Sequence, residues 1–150
     1  MAKNLNVTIN FDMDGTIANL YGQENWLHDL THHIANPYRN AEPMLKMNIL
    51  ARYLNKLQKE GYKIAIISWL SKDSNAEYDK AVTQAKLDWL DEHLASVNFD
   101  EINIVPYGTD KATFAKTDLD ILFDDEIGNR NAWSGKAYGV DDIIGVLKTL

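Results

Sequence analysis

Apolar residues recur along the chain at two spacings, which predict alternating strands and helices. A first strand is predicted just before Asp12, because every second residue there is apolar: Leu5, Val7, Ile9 and Phe11. A continuous apolar run at 64–67 predicts a strand that is buried on both faces and ends at Ser68. Shorter apolar runs predict further strands at 102–105, 120–123 and 136–138.

Helical spacing of apolar residues appears between these strands. One helix is predicted over 44–60, with Gly61 just past its end, where a left-handed cap is favoured. A second helix is predicted to begin at a capping box formed by Ser74 and Glu77 and to run toward Leu94. Both helices therefore connect consecutive predicted strands.

The order of these elements predicts an α/β fold. After the last strand, Asp141 or Asp142 is placed to cap a helix that runs to Leu150. Such alternation implies a mainly parallel sheet with helices on both faces, a Rossmann-like three-layer sandwich in a single domain over 1–150. Residues 19–43 break the alternation, and we expect them to form a small helical insertion over the strand ends.

Composition and charge exclude several function classes. The chain has 150 residues, of which 45% are hydrophobic and 25% charged, as in ordinary globular proteins. The formal net charge of −7 repels phosphate backbones, so duplex nucleic acid is not an expected partner. Without cysteine there is no disulfide, thiol nucleophile or zinc–thiolate site. We find no leader-like start and no apolar run near the ~20 residues that span a bilayer, so we expect a cytoplasmic protein without a membrane partner.

Chemically active residues follow the predicted strands. They are Asp12 and Asp14, Ser68, Lys111 in the loop after the third strand, and Asp124 with Asp125. In parallel α/β sheets the binding crevice lies beyond the carboxyl ends of the strands, so these side chains are expected at one edge. Carboxylates at close quarters repel unless a cation lies among them, and hard oxygen ligands suit Mg²⁺. A hydroxyl and an ammonium group beside them would hold phosphate oxygens.

This set of residues favours phosphoryl transfer. Asp12 would be the nucleophile and would form an aspartyl-phosphate that water later hydrolyses. Asp14 would protonate the leaving oxygen and later take a proton from the attacking water. Gly15 would permit the unusual backbone between them, and Thr16 would satisfy the turn.

The same residues resemble the motifs of the haloacid dehalogenase-like (HAD) superfamily of phosphohydrolases. Residues 11–16 (FDMDGT) resemble motif I, which reads D-x-D-G-T/S after an apolar strand. The other motifs appear in the family's order, with motif II at 66–68, motif III at Lys111 and motif IV at 122–125. Within the superfamily, the chain is most similar to the 5′(3′)-deoxyribonucleotidase-like group. The further residues that carry this likeness are Asp110 beside Lys111, Asn129 or Asn131, and Lys86 with Trp89.

The resemblance implies a HAD fold with a small cap and a Mg²⁺-dependent phosphatase acting on a small phosphate monoester, such as a (deoxy)nucleoside monophosphate. The implied metal ligands are Asp12, the Asp14 backbone carbonyl and Asp124, with Asp125 close by. The implied substrate contacts are Thr16, Ser68, the Trp69 amide and Lys111. The insertion at 19–43 is smaller than the group's usual cap, which leaves the site open and is compatible with closure by a second subunit of a homo-oligomer.

Three other functions are weighed against this one. A phospho-receiver uses similar residues, but in it the lysine comes last along the chain, whereas here Lys111 precedes Asp124. A HAD-like domain that binds a nucleotide or phosphate without catalysis, for instance as a regulator, stays open as the main alternative. Dehalogenation is disfavoured because Asp14 is retained.

Some residues have competing interpretations. Lys116 stands in the same loop as Lys111 and competes with it for the catalytic role. His28 and His32 would share one helix face, but a metal site there lacks a third ligand at fitting spacing. Trp69 is favoured as a stacking residue because it adjoins Ser68. Stacking is also open for Tyr21, Trp26 and Tyr38, whereas Trp89 and Trp133 are expected in the core.

Overall fold

The strands assemble as the apolar spacing predicts. The structure, a computed structural model, describes residues 6–150. The strands in chain order are β1 (Thr8–Phe11), β2 (Ala18–Asn19), β3 (Glu42–Pro43), β4 (Lys63–Trp69), β5 (Glu101–Val105), β6 (Ile121–Phe123) and β7 (Lys136–Tyr138). Five of them form a parallel sheet in the order β5-β4-β1-β6-β7, whereas β2 and β3 form a separate antiparallel pair. The predicted α/β class with a mainly parallel sheet is confirmed.

Strand β1 lies at the centre of the sheet and is buried on both faces. Its apolar residues Ile9 and Phe11 pack into the core, and its polar residues are buried as well. The Thr8 amide donates to Asp120 Oδ1 at 2.9 Å, and Asn10 Nδ2 donates to the Ile121 carbonyl at 3.2 Å. The second bond satisfies the Asn10 side chain, which alternation alone would have placed in solvent. Leu5, included in the predicted strand, lies outside the described residues.

Six helices of the described chain surround this framework. They are α1 (Trp26–Thr31), α2 (Asn36–Asn40), α3 (Met47–Lys59), α4 (Ala76–His93), α5 (Ile127–Ala132) and α6 (Ile143–Thr149). One face of the sheet packs against apolar residues of α3, α4 and α6, including Leu54, Trp89 and Leu147. The other face packs against Trp133 and the region of Phe114. Trp89 and Trp133 are buried, which confirms their expected place in the core.

The insertion between β1 and α3 contains α1 and α2 and is flanked by the paired strands β2 and β3. Its Leu20 and Tyr38 pack against Tyr78, Val82 and Ala85 of α4. This cluster attaches the insertion to the side of the sheet on which α4 lies.

Two predicted helix starts are wrong by a few residues. Helix α3 begins at Met47 rather than at residue 44, because the Met44 amide donates to the Ile17 carbonyl at 2.9 Å and the chain is still extended there. Helix α4 is capped by Asn75, whose Oδ1 accepts from the Tyr78 amide at 2.8 Å, rather than by Ser74 in a capping box.

The remaining helix ends give one confirmation and one further correction. Gly61 follows α3 with a φ of +104°, the left-handed conformation predicted for it. A short 3₁₀ helix at Val140–Asp142 precedes α6, and Asp142 occupies the N-cap position without a side-chain hydrogen bond. No helix within 6–150 combines the length and the apolar character that a bilayer span requires.

Candidate active site

The register of the parallel strands places carboxylates from two separate chain segments side by side. Phe11 of β1 pairs with Phe123 of β6 on one side and with Ile66 of β4 on the other. Asp12 and Asp124 each follow directly, and the Asp12 amide donates to the Phe123 carbonyl at 2.9 Å. Strands β1 and β6 therefore end level with each other, as the sequence predicts for a shared edge. Strand β4 instead continues to Trp69, so Ser68 lies within the strand and not after it as predicted.

A tight turn after β1 carries the next functional residues. The Met13 carbonyl accepts the amides of Thr16, Ile17 and Ala18, each at 3.0 Å. Gly15 has a φ of +79°, and a Cβ on it would overlap the Asp125 carboxylate. Glycine is required here for both reasons, since other residues rarely adopt this φ and the carboxylate leaves no room.

Asp12 is held at both carboxylate oxygens. Lys111 Nζ donates to Oδ1 at 2.9 Å, and Thr16 Oγ1 donates to Oδ2 at 2.8 Å. The Thr16 hydroxyl also accepts from the Asp125 amide at 3.1 Å. Because the Thr16 hydroxyl proton is already donated to Asp12 and its oxygen already accepts from the Asp125 amide, we expect Thr16 to position these two acids rather than to touch a substrate.

Lys111 lies at the start of a 3₁₀ helix, Lys111–Phe114, that Asp110 caps by accepting the Ala112 amide. Its buried ammonium group also donates to Asp124 Oδ2 at 2.8 Å. Burial lowers the pKa of Lys111, but the two carboxylates outweigh burial, so the pKa is raised and the group stays charged. Lys116, its competitor, instead pairs with Glu101 at the surface.

Asp124 is fixed by the helix that follows it. Its Oδ1 accepts the Glu126 amide at 2.9 Å, and its Oδ2 accepts Asn129 Nδ2 at 3.1 Å. Arg130 donates to the Asp124 backbone carbonyl at 2.9 Å. Asn129, rather than Asn131, thus reaches the acid pair that follows β6.

Three carboxylates form a cluster suited to a hard cation. Oxygens of Asp12, Asp124 and Asp125 lie within 4.8 Å of one another. Burial and the Asp12 carboxylate raise the pKa of Asp125 to about 7, and the same causes raise that of Asp124 against the opposing effect of Lys111. A divalent cation would relieve this repulsion, and an all-oxygen donor set fits Mg²⁺.

Asp14 and Ser68 are linked by a buried lysine that the sequence analysis did not assign to the site. Lys86 Nζ donates to Asp14 Oδ2 at 2.9 Å, to Ser68 Oγ at 2.6 Å and to the Trp69 carbonyl at 2.8 Å. The Lys86 side chain is only 1% exposed. An ammonium group has three donors, and all three are used here.

A cavity of about 540 Å³ opens beside Asp14 and Trp69, whereas Ser68 and Lys86 are almost fully buried and do not line it. Asp12, Asp14 and Lys111 lie at its polar end. Its wall carries aromatic side chains from the insertion and from the sheet edge: Tyr21, Trp26, Tyr38, Trp69 and Tyr107. Burial is the main cause that raises the pKa of Tyr21 and Tyr38, so both phenols stay neutral. Three aromatic residues of the insertion thus face the site, whereas Tyr107 was missed because a lone tyrosine in a loop carries no sequence signal.

The histidine pair of the insertion takes no part in this site. His28 and His32 stack with ring centroids 4.0 Å apart on the exposed side of α1. His28 Nδ1 lies 3.1 Å from Asp29, and His32 Nδ1 lies 2.7 Å from the His28 carbonyl. Within residues 6–150, the group of candidate ligands that converges on a metal-sized space is the Asp12 cluster.

Comparison with known proteins supports the fold. No protein-family profile matches the chain, and no curated protein matches it by sequence. Among solved structures, D,D-heptose 1,7-bisphosphate phosphatase from Burkholderia thailandensis superposes with a TM-score of 0.59 at 13% identity, over 95% of this chain and 96% of that one. The HAD domain of effector protein Lem4 from Legionella pneumophila matches over 89% of this chain and 85% of that one, at 15% identity and a TM-score of 0.38. The chain thus has a Rossmann-like α/β fold, with a parallel five-stranded sheet flanked by helices, similar to that of the heptose bisphosphate phosphatase structure.

Proposed function

We propose that this protein is a Mg²⁺-dependent phosphohydrolase that cleaves small phosphate monoesters through an aspartyl-phosphate on Asp12. The observation that supports this most is the convergence of Asp12, Lys111 and Asp124 at the ends of separate chain segments, with both ion pairs at Lys111 under 3 Å. A surface assembled by chance would not place a buried lysine between two buried carboxylates at a cavity floor.

The charges of the site favour a divalent cation. Four carboxylates (Asp12, Asp14, Asp124 and Asp125) meet two ammonium groups (Lys86 and Lys111), which leaves two negative charges uncompensated when all are ionised. Asp12, Asp124 and the Asp14 backbone carbonyl would hold Mg²⁺, with Asp125 beside them. The bound ion would draw the phosphate into the site and offset its negative charge.

The proposed reaction consists of two successive substitutions at phosphorus. A carboxylate oxygen of Asp12 attacks phosphorus, and the bond from phosphorus to the ester oxygen breaks. Asp14 gives a proton to that leaving oxygen, and Ser68 and Lys111 hold the phosphate oxygens. Water then attacks phosphorus and gives a proton to Asp14, so that phosphate leaves and Asp12 is regenerated.

The cavity favours a monophosphate with a planar group. Asp125 and Glu126 add negative charge to its wall, and beyond Lys111 the lysine that lines it is the exposed Lys72. A second phosphate would meet more acids than cations there. The aromatic wall suits a ring that stacks, so a (deoxy)nucleoside monophosphate is our preferred substrate class, in line with a 5′-nucleotidase-like activity.

Phosphate release from nucleoside monophosphates and from 4-nitrophenyl phosphate, with Mg²⁺ or with a chelator, tests this proposal. We expect Asp12→Asn to lower turnover at least about a thousandfold, equivalent to about 4 kcal/mol of barrier. The matched control, Asp118→Asn, removes the same charge from an exposed loop and should leave turnover unchanged. Turnover by Asp12→Asn at the wild-type rate would rule out the mechanism, and tight nucleotide binding without Mg²⁺-dependent hydrolysis would favour the regulatory alternative.

A further inference from the structure

The loop after β5 presents an aromatic side chain to the cavity. Tyr107 is 54% exposed. Its inner side meets Trp69, with ring centroids 5.1 Å apart and planes at 60°. Both rings line the same cavity as Asp12 and Lys111.

The backbone fixes Tyr107 in this position. Trp69 Nε1 donates to the Thr109 carbonyl at 2.8 Å, which ties the end of β4 to this loop. The Thr109 amide and hydroxyl both bond the Pro106 carbonyl, at 3.1 and 2.7 Å, and close a turn around Tyr107. Gly108 has a φ of +84°, which lets the turn reverse direction. Tyr107 is therefore held on a braced turn.

Trp69 connects this ring to the reacting end of the cavity. The Lys111 ammonium group lies 5.3 Å from the centroid of the Trp69 ring. A phosphate held by Lys111 would place its ester group next to Trp69 and then Tyr107. The leaving group of such a substrate would therefore meet the rings of Trp69 and Tyr107. Both rings belong to the edge of the sheet rather than to the insertion.

We propose that Tyr107, braced by Trp69, is a specificity-determining residue that selects phosphate monoesters with a planar ring in the leaving group. This inference rests on the proposed phosphohydrolase function and extends it to a residue outside the insertion. A planar ring can stack on both aromatic side chains with little loss of conformational freedom. A non-planar ring of equal size covers the same surface less well.

The test uses two substrates with similar leaving oxygens, benzyl phosphate and cyclohexylmethyl phosphate, which differ in the planarity of the ring. We expect the wild-type kcat/KM to favour benzyl phosphate by about tenfold. Tyr107→Leu should lose most of this preference through a higher KM for benzyl phosphate, whereas Tyr107→Phe should keep it. Leu119→Ser, which alters an exposed apolar residue away from the cavity, should also keep it.

A binding measurement makes the test independent of turnover. In the Asp12→Asn background, Tyr107→Leu should weaken the binding of benzyl phosphate several-fold and leave that of inorganic phosphate unchanged. An equal effect of Tyr107→Leu on both esters, or no effect on either, would overturn the role of Tyr107 while Asp12-dependent hydrolysis still stands. Absence of Asp12-dependent hydrolysis from both esters would overturn the proposed function, and the specificity role with it.

Discussion

Lys86 determines how two active-site side chains are presented. Because Ser68 Oγ accepts a hydrogen bond from the Lys86 ammonium group, the Ser68 hydroxyl proton points away from that group, and in the proposed reaction it would donate to a phosphate oxygen. The same ammonium group holds Asp14 through Oδ2, which leaves Oδ1 for the leaving oxygen. Lys86 therefore acts through Ser68 and Asp14 and is a positioning residue.

Replacing Lys86 with methionine keeps the length of the side chain and removes the charge. We expect Lys86→Met to lower kcat by about 100-fold, because Asp14 and Ser68 lose their orientation. The free energy of unfolding should fall by about 1–3 kcal/mol, since buried polar partners lose a hydrogen bond. Steady-state kinetics and urea unfolding measure the two effects at a temperature where both proteins are folded.

The control for this prediction lies on the same helix. Lys80 of α4 is exposed, so Lys80→Met removes an equal charge without touching the site and should change neither quantity appreciably. An unchanged kcat in Lys86→Met would show that Asp14 and Ser68 need no support from α4.

Besides the family resemblance, the sequence contains a physical signal for Lys86. Val82 and Leu90, four residues to either side of it, belong to the apolar face from which the helix is predicted. A lysine on that face has to find a buried partner, and Asp14 is that partner. Tyr107 offers no comparable pattern, because the position of a loop side chain depends on distant contacts such as the one with Trp69.

At the scale of elements, strand ends were easier to predict than helix starts. Parallel pairing aligns β1 with β6, so Asp12 and Asp124, which follow these strands, fall at the same edge. Strand β4 continues to Trp69, so Ser68 reaches this edge from within its strand. Helix starts depend on local competition for hydrogen bonds. Asn75 rather than Ser74 caps α4, and α3 begins three residues later than predicted because the Met44 amide donates to the Ile17 carbonyl. The insertion folds as two short helices between paired strands. This could not be predicted, because its apolar residues have no regular spacing.

The turn after β1 gives the prediction at this scale. Gly15→Ala forces an unfavourable φ and places a methyl group against the Asp125 carboxylate. We expect a loss of stability of about 1–3 kcal/mol and a fall in kcat of at least tenfold, because Asp12 and Asp125 are displaced. Thermal unfolding and steady-state kinetics of the variant measure both.

The same substitution within a helix provides the contrast. A Cβ on Gly145 of α6 meets no atom within 4 Å, so Gly145→Ala should raise stability by up to about 1 kcal/mol through helix propensity and leave kcat unchanged. If both variants behave alike, the turn tolerates a side chain and the described conformation of Gly15 is not needed for activity.

At the scale of the whole molecule, an acidic protein concentrates several of its carboxylates at one buried edge. The formal net charge is −7, and the site holds four acids against two lysines. Such an arrangement lowers stability unless protons or cations bind to it. The charges on which the proposed catalysis depends thus make the stability of the fold depend on pH and on divalent ions.

The pH dependence has a definite sign. Burial and Asp12 raise the pKa of Asp125 to about 7, above its value in the unfolded chain. Without divalent ions, the folded protein therefore holds this proton more tightly than the unfolded chain, and stability is lost as the pH rises from about 4 to about 7. Exposure of part of Asp125 reduces the size of this effect.

Thermal unfolding in chelator between pH 5 and 7.5 measures this pH dependence of stability. Subtracting the melting temperatures of Asp125→Asn from those of the wild type cancels the contribution of groups that titrate elsewhere. We expect the wild-type melting temperature to fall with pH more steeply than that of Asp125→Asn, since the amide cannot ionise. Adding Mg²⁺ should reduce the difference in slope, because the ion replaces the proton and binds more tightly as Asp125 ionises. Equal slopes for the two proteins in chelator would mean that Asp125 titrates in its ordinary range, and equal slopes with and without Mg²⁺ would place the cation away from this cluster.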